Sequence, residues 1–535
     1  MPKTKIIEIT KAPRFIFLGL FWLTMLASLH GISQESKKIE ILQADDFYYD
    51  EIGGVKAKRL IGNVKIKHEN TLMYCDSAYV YNATNDMSAF GHVHITDPED
   101  MDLWGDSLKY YGTKKITEVR GSVKMVNEDM TLTTRFLNFD RSANHAWYWN
   151  GGLILMNDGK DSLWSRKGDY YSSLSEMRFK DSVVLKTADY EINTDTMHYH
   201  TKKERSYFFG PTHIISDSNH IYTEKGWSDN KTGLSEFTLN SYIFTAEQQL
   251  WGDSILYDQK KNIGEMFFNV TLLDTVNEFM VQGDYVLHNQ EDSTSLVLGK
   301  PILTQFFDTD SMVLHADTLF SHFDSSRQFR IMHAYPKAQF FKSDMQGKCD
   351  SLIFSDLDSS IHMYDDPVLW SEANQITSDF IQVFRSNGEL ERMTMNNNAF
   401  IISLEDSIGQ YKKYNQIKGD SMVGFFTNGE LSKVNVNHNG NTIYFAKEEE
   451  KDSSQVREYL GMNKADCQNM TIYLDSNEVT SIVFRVKPTA TLYPLKDVTP
   501  RMMFLKDFSW RDSERPKRKE DIFNWKEEEE VQKGE

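Results

Sequence analysis

The sequence predicts an all-β fold, an elongated repeat of antiparallel strands stacked as a β-solenoid or as an open, two-sheet half-pipe. Three observations predict it. A motif recurs at a period near 30 residues over about 300 residues of the chain. Within each unit the apolar residues alternate at period two, as in Val64, Ile66, then Val93, Ile95, then Val123, Met125. Period two puts successive side chains on opposite faces of a strand, so one face is buried. No helical stripe interrupts the pattern between Ile39 and Pro494. Units of this kind stack along one axis, each touching its neighbours, which overrides any domain count drawn from 535 residues.

Each unit has two halves. One reads small-Asp-Ser/Thr-apolar-x-aromatic, as in Cys75-Asp76-Ser77-Ala78-Tyr79, Gly105-Asp106-Ser107-Leu108, Thr194-Asp195-Thr196-Met197 and Cys349-Asp350-Ser351-Leu352. The other reads Gly-x-Val-x-apolar, at Gly62-Asn63-Val64, Gly91-His92-Val93 and Gly121-Ser122-Val123, and its phase continues through Gly151, Asp181, Pro211 and Ser241 to Pro301, Pro336 and Pro367. After residue 380 the spacing loosens, with Gly419 and Asp466 as later markers. Turn-forming stretches such as Asn82-Ala83-Thr84-Asn85-Asp86 and Asp158-Gly159-Lys160-Asp161 separate the halves.

A glycine inside a strand costs stability, and a bulge or sharp bend explains its presence. The repeated Asp-Ser/Thr pair has a catalytic and a structural reading. About a dozen equivalent positions cannot all be active sites, so the structural one is preferred, with Asp and Ser bonding nearby backbone N–H groups at a bend. The three cysteines form no CxxC pair. Two of them occupy the small position of the motif, where they are expected as small buried residues rather than a disulfide. His92-Val93-His94 could supply two ligands to zinc, but no third ligand stands at a suitable spacing. No metal, cofactor or catalytic residue is expected.

Composition narrows the function. The chain is 40% hydrophobic with 33 Phe, 25 Tyr and 23 Met, ample for a core. Its formal charge of −19 repels nucleic acid and anionic headgroups at long range, which disfavours a nucleic-acid partner. An anionic lipid would have to be held by its acyl chains or by local cations. At the N-terminus, Lys3, Lys5, Lys11 and Arg14 precede an apolar run from Phe15 to Leu29, short for a membrane span and suited to a signal peptide over residues 1–33 with cleavage before Gln34. An uncleaved anchor is the alternative. The β-repeats are expected over 34–385, divergent repeats over 386–495, and a charged tail, extended or short helical and suited to a partner, over 496–535.

The opening stretch, Ile39-Glu40-Ile41-Leu42-Gln43-Ala44-Asp45 with Gly62-Asn63-Val64-Lys65-Ile66 after it, resembles the organic-solvent-tolerance (OstA-like) family. The Ala-Asp strand, turn and Gly-Asn-Val pattern recurs at Cys75-Asp76 with Gly91-His92-Val93, and at Gly105-Asp106 with Gly121-Ser122-Val123. The resemblance covers about residues 39–385 well and 386–495 loosely. It implies an open β-jellyroll whose apolar trough carries the acyl chains of lipopolysaccharide, with domains joined end to end to other transport proteins or to the outer-membrane translocon. It also implies a periplasmic location and no enzymatic activity. The chain has more repeats than the small periplasmic member and no evident C-terminal barrel. The more uniformly apolar face nominates Val64, Ile66, Leu72, Phe90, Val93, Ile95, Leu103, Leu108, Val123, Met125 and Leu132 as lipid-binding residues, whose alternative role is ordinary core packing. A closed structural or adhesive solenoid at the cell surface is the competing expectation.

Overall fold

The computed structural model describes residues 39–52, 55–68, 71–97, 101–127, 130–217, 219–307, 310–386, 389–406, 412–427, 430–447, 458–475 and 478–526. The signal peptide expected over 1–33 and the acidic end of the tail lie outside them. The described residues are almost all β, with 36 strands and three short 3-10 helices, and every strand pairing is antiparallel. No described helix is long and apolar enough to cross a membrane. The chain divides into two compact units, the first ending at Glu265 and the second beginning at Met266.

In the first unit one repeat is one hairpin. Thr71–Tyr81 pairs with Asp86–Asp97, which pairs with Met101–Tyr111, and each later strand adds to the last through Gln248–Asp258. Nearly every pairing slips at mid-strand, for example between Phe90 and Val93 and between Arg120 and Val123. These slips fall on the Gly-x-Val motif. Gly62 and Asn63, Gly91 and His92, Asp181 and Ser182, and Leu239 and Asn240 all have positive φ, so two consecutive left-handed residues turn the strand. Each strand thereby contributes one half to an A sheet (Thr71–Cys75, Val93–Thr96, Met101–Gly105) and the other to a B sheet (Ser77–Tyr81, Asp86–Phe90, Ser107–Tyr111).

The repeated Asp sits inside this corner. Asp45 N–H donates to the Gly62 carbonyl at 2.9 Å, and Asp284, Asp317 and Asp379 bond to Gly299, Pro336 and Asn397 in the same way. The Asp carboxylates accept from whatever turns the facing strand: the Ser122 N–H at 3.0 Å onto Asp106, Asn63 at 2.8 Å onto Asp45, and Asn439 onto Asp420. Ser122 shows the expected backbone bond, whereas Asp45, Asp76, Asp379 and Asp420 each take a corner side chain, from Asn63, His92, Asn398 and Asn439. The glycines are required because a Cβ at Gly91 or Gly121 would run into the Asp76 or Asp106 carboxylate. His92 belongs to this scheme, its Nδ1 lying 2.8 Å from Asp76, which raises its pKa by that hydrogen bond. His94 instead meets Asp102 at 2.7 Å and stacks on Trp104, so the two histidines do not share a ligand.

At the B-sheet end the hairpins close in four-residue turns that finish on a positive-φ residue, at Asn85, Lys115, Asn144, Ser175, Glu204, Gly233 and Asn262. Successive turns are tied together: Arg141 N–H donates to Lys115 O, Ser172 to Asn144 and Thr201 to Ser175, at 2.8–3.0 Å.

In the second unit the same strands break at the corner into separate halves, as in Thr294–Leu298 and Ile302–Phe306. Pro301, Pro336 and Pro367 stand there, and proline has no N–H for the ladder. From Glu389 onward the strands are long again, up to 18 residues, which is why the sequence period loosens. Of the residues expected as an extended or short helical tail, those as far as Lys526 hold three short 3-10 helices. Residues 495–526 run back across the A sheet, lying on a row of paired outward residues in which Gln375 and Gln416 bond to the segment and Ile402 and Ile443 pack against it. The Gln375 amide donates to Ser509 O at 2.7 Å and accepts from Arg511 N at 2.6 Å, and Gln416 treats Met503 O and Leu505 N alike. Met503 and Leu505 bury against Phe400, Tyr414, Phe445 and Met462, and Glu514 is buried between Lys348 and Arg511. Apolar anchors hidden among charged residues in sequence account for the tail reading.

Candidate apolar binding cavity

Between the A and B sheets of the first unit lies a cavity of about 280 Å³, partly open to solvent. Its lining runs from Ile39 to Phe179 and spans nine strands from Val55–His68 to Glu176–Lys186, roughly 40 Å at ~4.8 Å per strand. The A sheet contributes a ladder of directly paired inner residues, Ile66, Met73, Ile95, Leu103, Met125, Leu132 and Ile154. The B sheet contributes Leu108, Val119, Leu137 and Tyr148, with Met87, Tyr110 and Thr117 one step nearer the rim.

Six of the nominated residues line this cavity: Ile66, Ile95, Leu103, Leu108, Met125 and Leu132. Val64, Val93 and Val123 are buried at the corner behind it. Leu72 and Phe90 are on the other face. Met73 and Ala89 point inward, so their immediate neighbours point out; Phe90 is 40% exposed and meets Tyr79 edge to face. Two adjacent apolar residues leave the choice of face open, and only the register settles it.

The sequence reading missed the methionines. Met73, Met87, Met101, Met130 and Met177 join Met125 in the lining. Methionine is unbranched and polarizable, and adapts to irregular apolar partners.

The polar groups are few and placed for neutrality. Tyr148 has its hydroxyl 2.6 Å from Ser165, and burial pushes that phenol up to about 12. Burial also raises Tyr170. Asp169 lies 2.9 Å from His145 Nε2. Arg141 contributes the cationic character and His68 a polar ring, both where strands end at the rim. Among the described residues no three His, Cys, Asp or Glu come together as a metal site, and Cys75, Cys349 and Cys467 are buried and unpaired with one another. Nothing here is arranged as a nucleophile with its base; the lining is suited to holding an apolar body.

Residues 36–195 match the family described as OstA-like protein, a span that encloses every residue lining the cavity. This part of the chain is an OstA-like domain. Among solved structures the chain is similar to LptH from Pseudomonas aeruginosa, described as the LptA homologous periplasmic component of the conserved lipopolysaccharide transport device, at 13% identity and a TM-score of 0.19, covering 21% of this chain and 86% of that one. No curated protein matches the chain. The OstA-like domain therefore contains the whole cavity, and the repeat continues beyond it.

Proposed function

We propose that the chain is a periplasmic lipopolysaccharide-binding and transport protein of outer-membrane assembly, holding acyl chains in the cavity of its OstA-like domain. The observation that carries this reading is the cavity itself: a continuous apolar, methionine-rich lining inside the span that matches the OstA-like family, a resemblance that implies lipopolysaccharide as the cargo. Burying acyl chains there would be driven by the hydrophobic effect, about 25 cal/mol per Å² of apolar surface removed from water. The net charge of −19 is tolerable for such a carrier because recognition is by the tails. The expected neighbours are other transport β-jellyroll proteins or the outer-membrane translocon, meeting this chain end to end.

The test is photo-crosslinking in cells, with a reactive residue placed singly at Ile95, Leu108 or Met125, and at Lys109 or Lys124 as outward controls. Lys124 lies over Trp104 on the outer face, 5.7 Å from the ring centroid. Lipopolysaccharide adducts at the inner positions alone are expected. Absence of adducts in folded, exported protein would favour the closed structural solenoid, a reading to which the tightly filled later repeats lend some weight.

A further inference from the structure

The cavity does not continue through the stack. The next inner positions of the A sheet are Leu163, Leu185 and Ile192, each at most 1% exposed. Facing them, the B-sheet ladder continues from Phe179 to Met197 and Phe208, with Tyr199 paired to Met177 on the adjoining row. Met197 and Phe208 are fully buried and Tyr199 is 1% exposed. From Thr134 and Ser165 onward the corner positions also carry hydroxyls. Thr194 and Thr212 hydrogen bond at 2.8 Å, and Ser241 donates to Thr223 at 3.1 Å. Ser228 and Ser235 bond at 2.8 Å on the row that Tyr110 and Met177 occupy further forward. Side chains packed at interior density leave no room for a chain to slide past.

We infer that the cavity is a blind pocket, closed by the wall of Tyr199, Phe208 and Met197, so that this chain holds a lipid and hands it back through the same stretch instead of conducting it along the stack. The inference rests on the lipid reading above. It assigns Tyr199 and Phe208 as specificity-determining residues that fix how deep an acyl chain can run. The partner that delivers the lipid and the one that takes it away must then both reach the part of the domain before Phe179.

The experiment uses the full chain in cells, with the crosslinking residue at Met125 in front of the wall or at Ile221 and Ile243 behind it. Both rear positions are inward and buried on the A sheet. The expected result is a lipopolysaccharide adduct at Met125 and none at Ile221 or Ile243. Opening the wall with Tyr199→Ala and Phe208→Ala should bring an adduct to Ile221, at a yield within a few-fold of that at Met125. An adduct at Ile221 with the wall intact would establish a through-conduit and overturn the inference. So would a folded double variant that still gives none there. A missing adduct at Met125 itself would strike the lipid reading. If the double variant fails to fold, Phe208→Leu supplies a milder opening, and the arm with the native wall is decisive without either.

Discussion

Replacing Gly121 by Ala tests whether the repeated Asp is a structural member of the corner. Gly121 has φ of +101°, a region that costs an L-residue ~1–2 kcal/mol. Its new Cβ would meet the Asp106 carboxylate, which must move and give up the bond it accepts from Ser122 N–H at 3.0 Å, worth ~1 kcal/mol net. The expected loss is about 3 kcal/mol. Gly159 is the internal control: its φ is +81° but no atom lies within 4 Å of a Cβ built there, so only the backbone part, about 1 kcal/mol, should be lost. Asp106→Ala removes the bond and the carboxylate but keeps a Cβ 2.5 Å from the new one, so the clash is only partly relieved; the Ser122 bond is nonetheless lost once instead of twice, and the double variant should be less damaged than the sum of the singles by about 1 kcal/mol. Urea unfolding followed by tryptophan fluorescence reads all four proteins. If Gly121→Ala is no worse than Gly159→Ala, or the cycle is additive, the corner argument is wrong.

Four further outcomes are expected. Burial, aided by the facing Arg330, depresses His288 to about 4, so the unfolded chain binds a proton there first as pH falls; stability held above pH ~6.5 should decline toward pH 4 by about 3 kcal/mol, and His288→Gln should flatten that dependence in pH-series melts. Burial raises all three thiols, Cys75 to about 11, so a thiol reagent at pH 8 should modify none of them until denaturant is added. Leu163→Ala, in the packed region, should cost near the upper end of the ~2–5 kcal/mol range, while Leu108→Ala, which enlarges an existing cavity, should cost near the lower end by the same denaturation assay. Gln416→Leu leaves Met503 O and Leu505 N–H without partners and should raise amide hydrogen exchange at Leu505 at least tenfold, with little change at Ile376.

The strands, their hairpin turns and the corner period were legible because each is dictated locally. Alternation at Val93 and Ile95 marks a strand, Asn82 to Asn85 a turn, and Gly91 a bend, all from short-range sterics. The inward face was legible at Ile66 and Met125, where polar Lys65 and Lys124 stand beside them. It was not legible at Leu72 and Phe90, where both neighbouring parities carry apolar residues and only the cross-strand pairing decides. The C-terminal segment was harder still. Gln375 and Gln416 read as ordinary polar strand residues, and nothing local announces that Ser509 to Arg511 and Met503 to Leu505 will lie against them from about 90 to 140 positions away in the chain.

The same separation explains why one repeat can build both a cavity and a solid core. The corner depends on Gly, Asn and Asp and is indifferent to what the inner positions hold. The B-sheet ladder runs from Ala78 and Ala89 through Leu108, Val119, Leu137, Tyr148 and Gly168 to Phe179, Met197 and Phe208, each directly paired with the next. Small or flexible residues at the start leave a void because the backbone spacing of the two sheets is set by the corners and cannot collapse onto them. Met197 and Phe208, fully buried at the same depth, fill it. Volume at two inner rows, independent of the motif that makes the fold recognisable, therefore determines where this chain can hold an apolar ligand and where it can only stack.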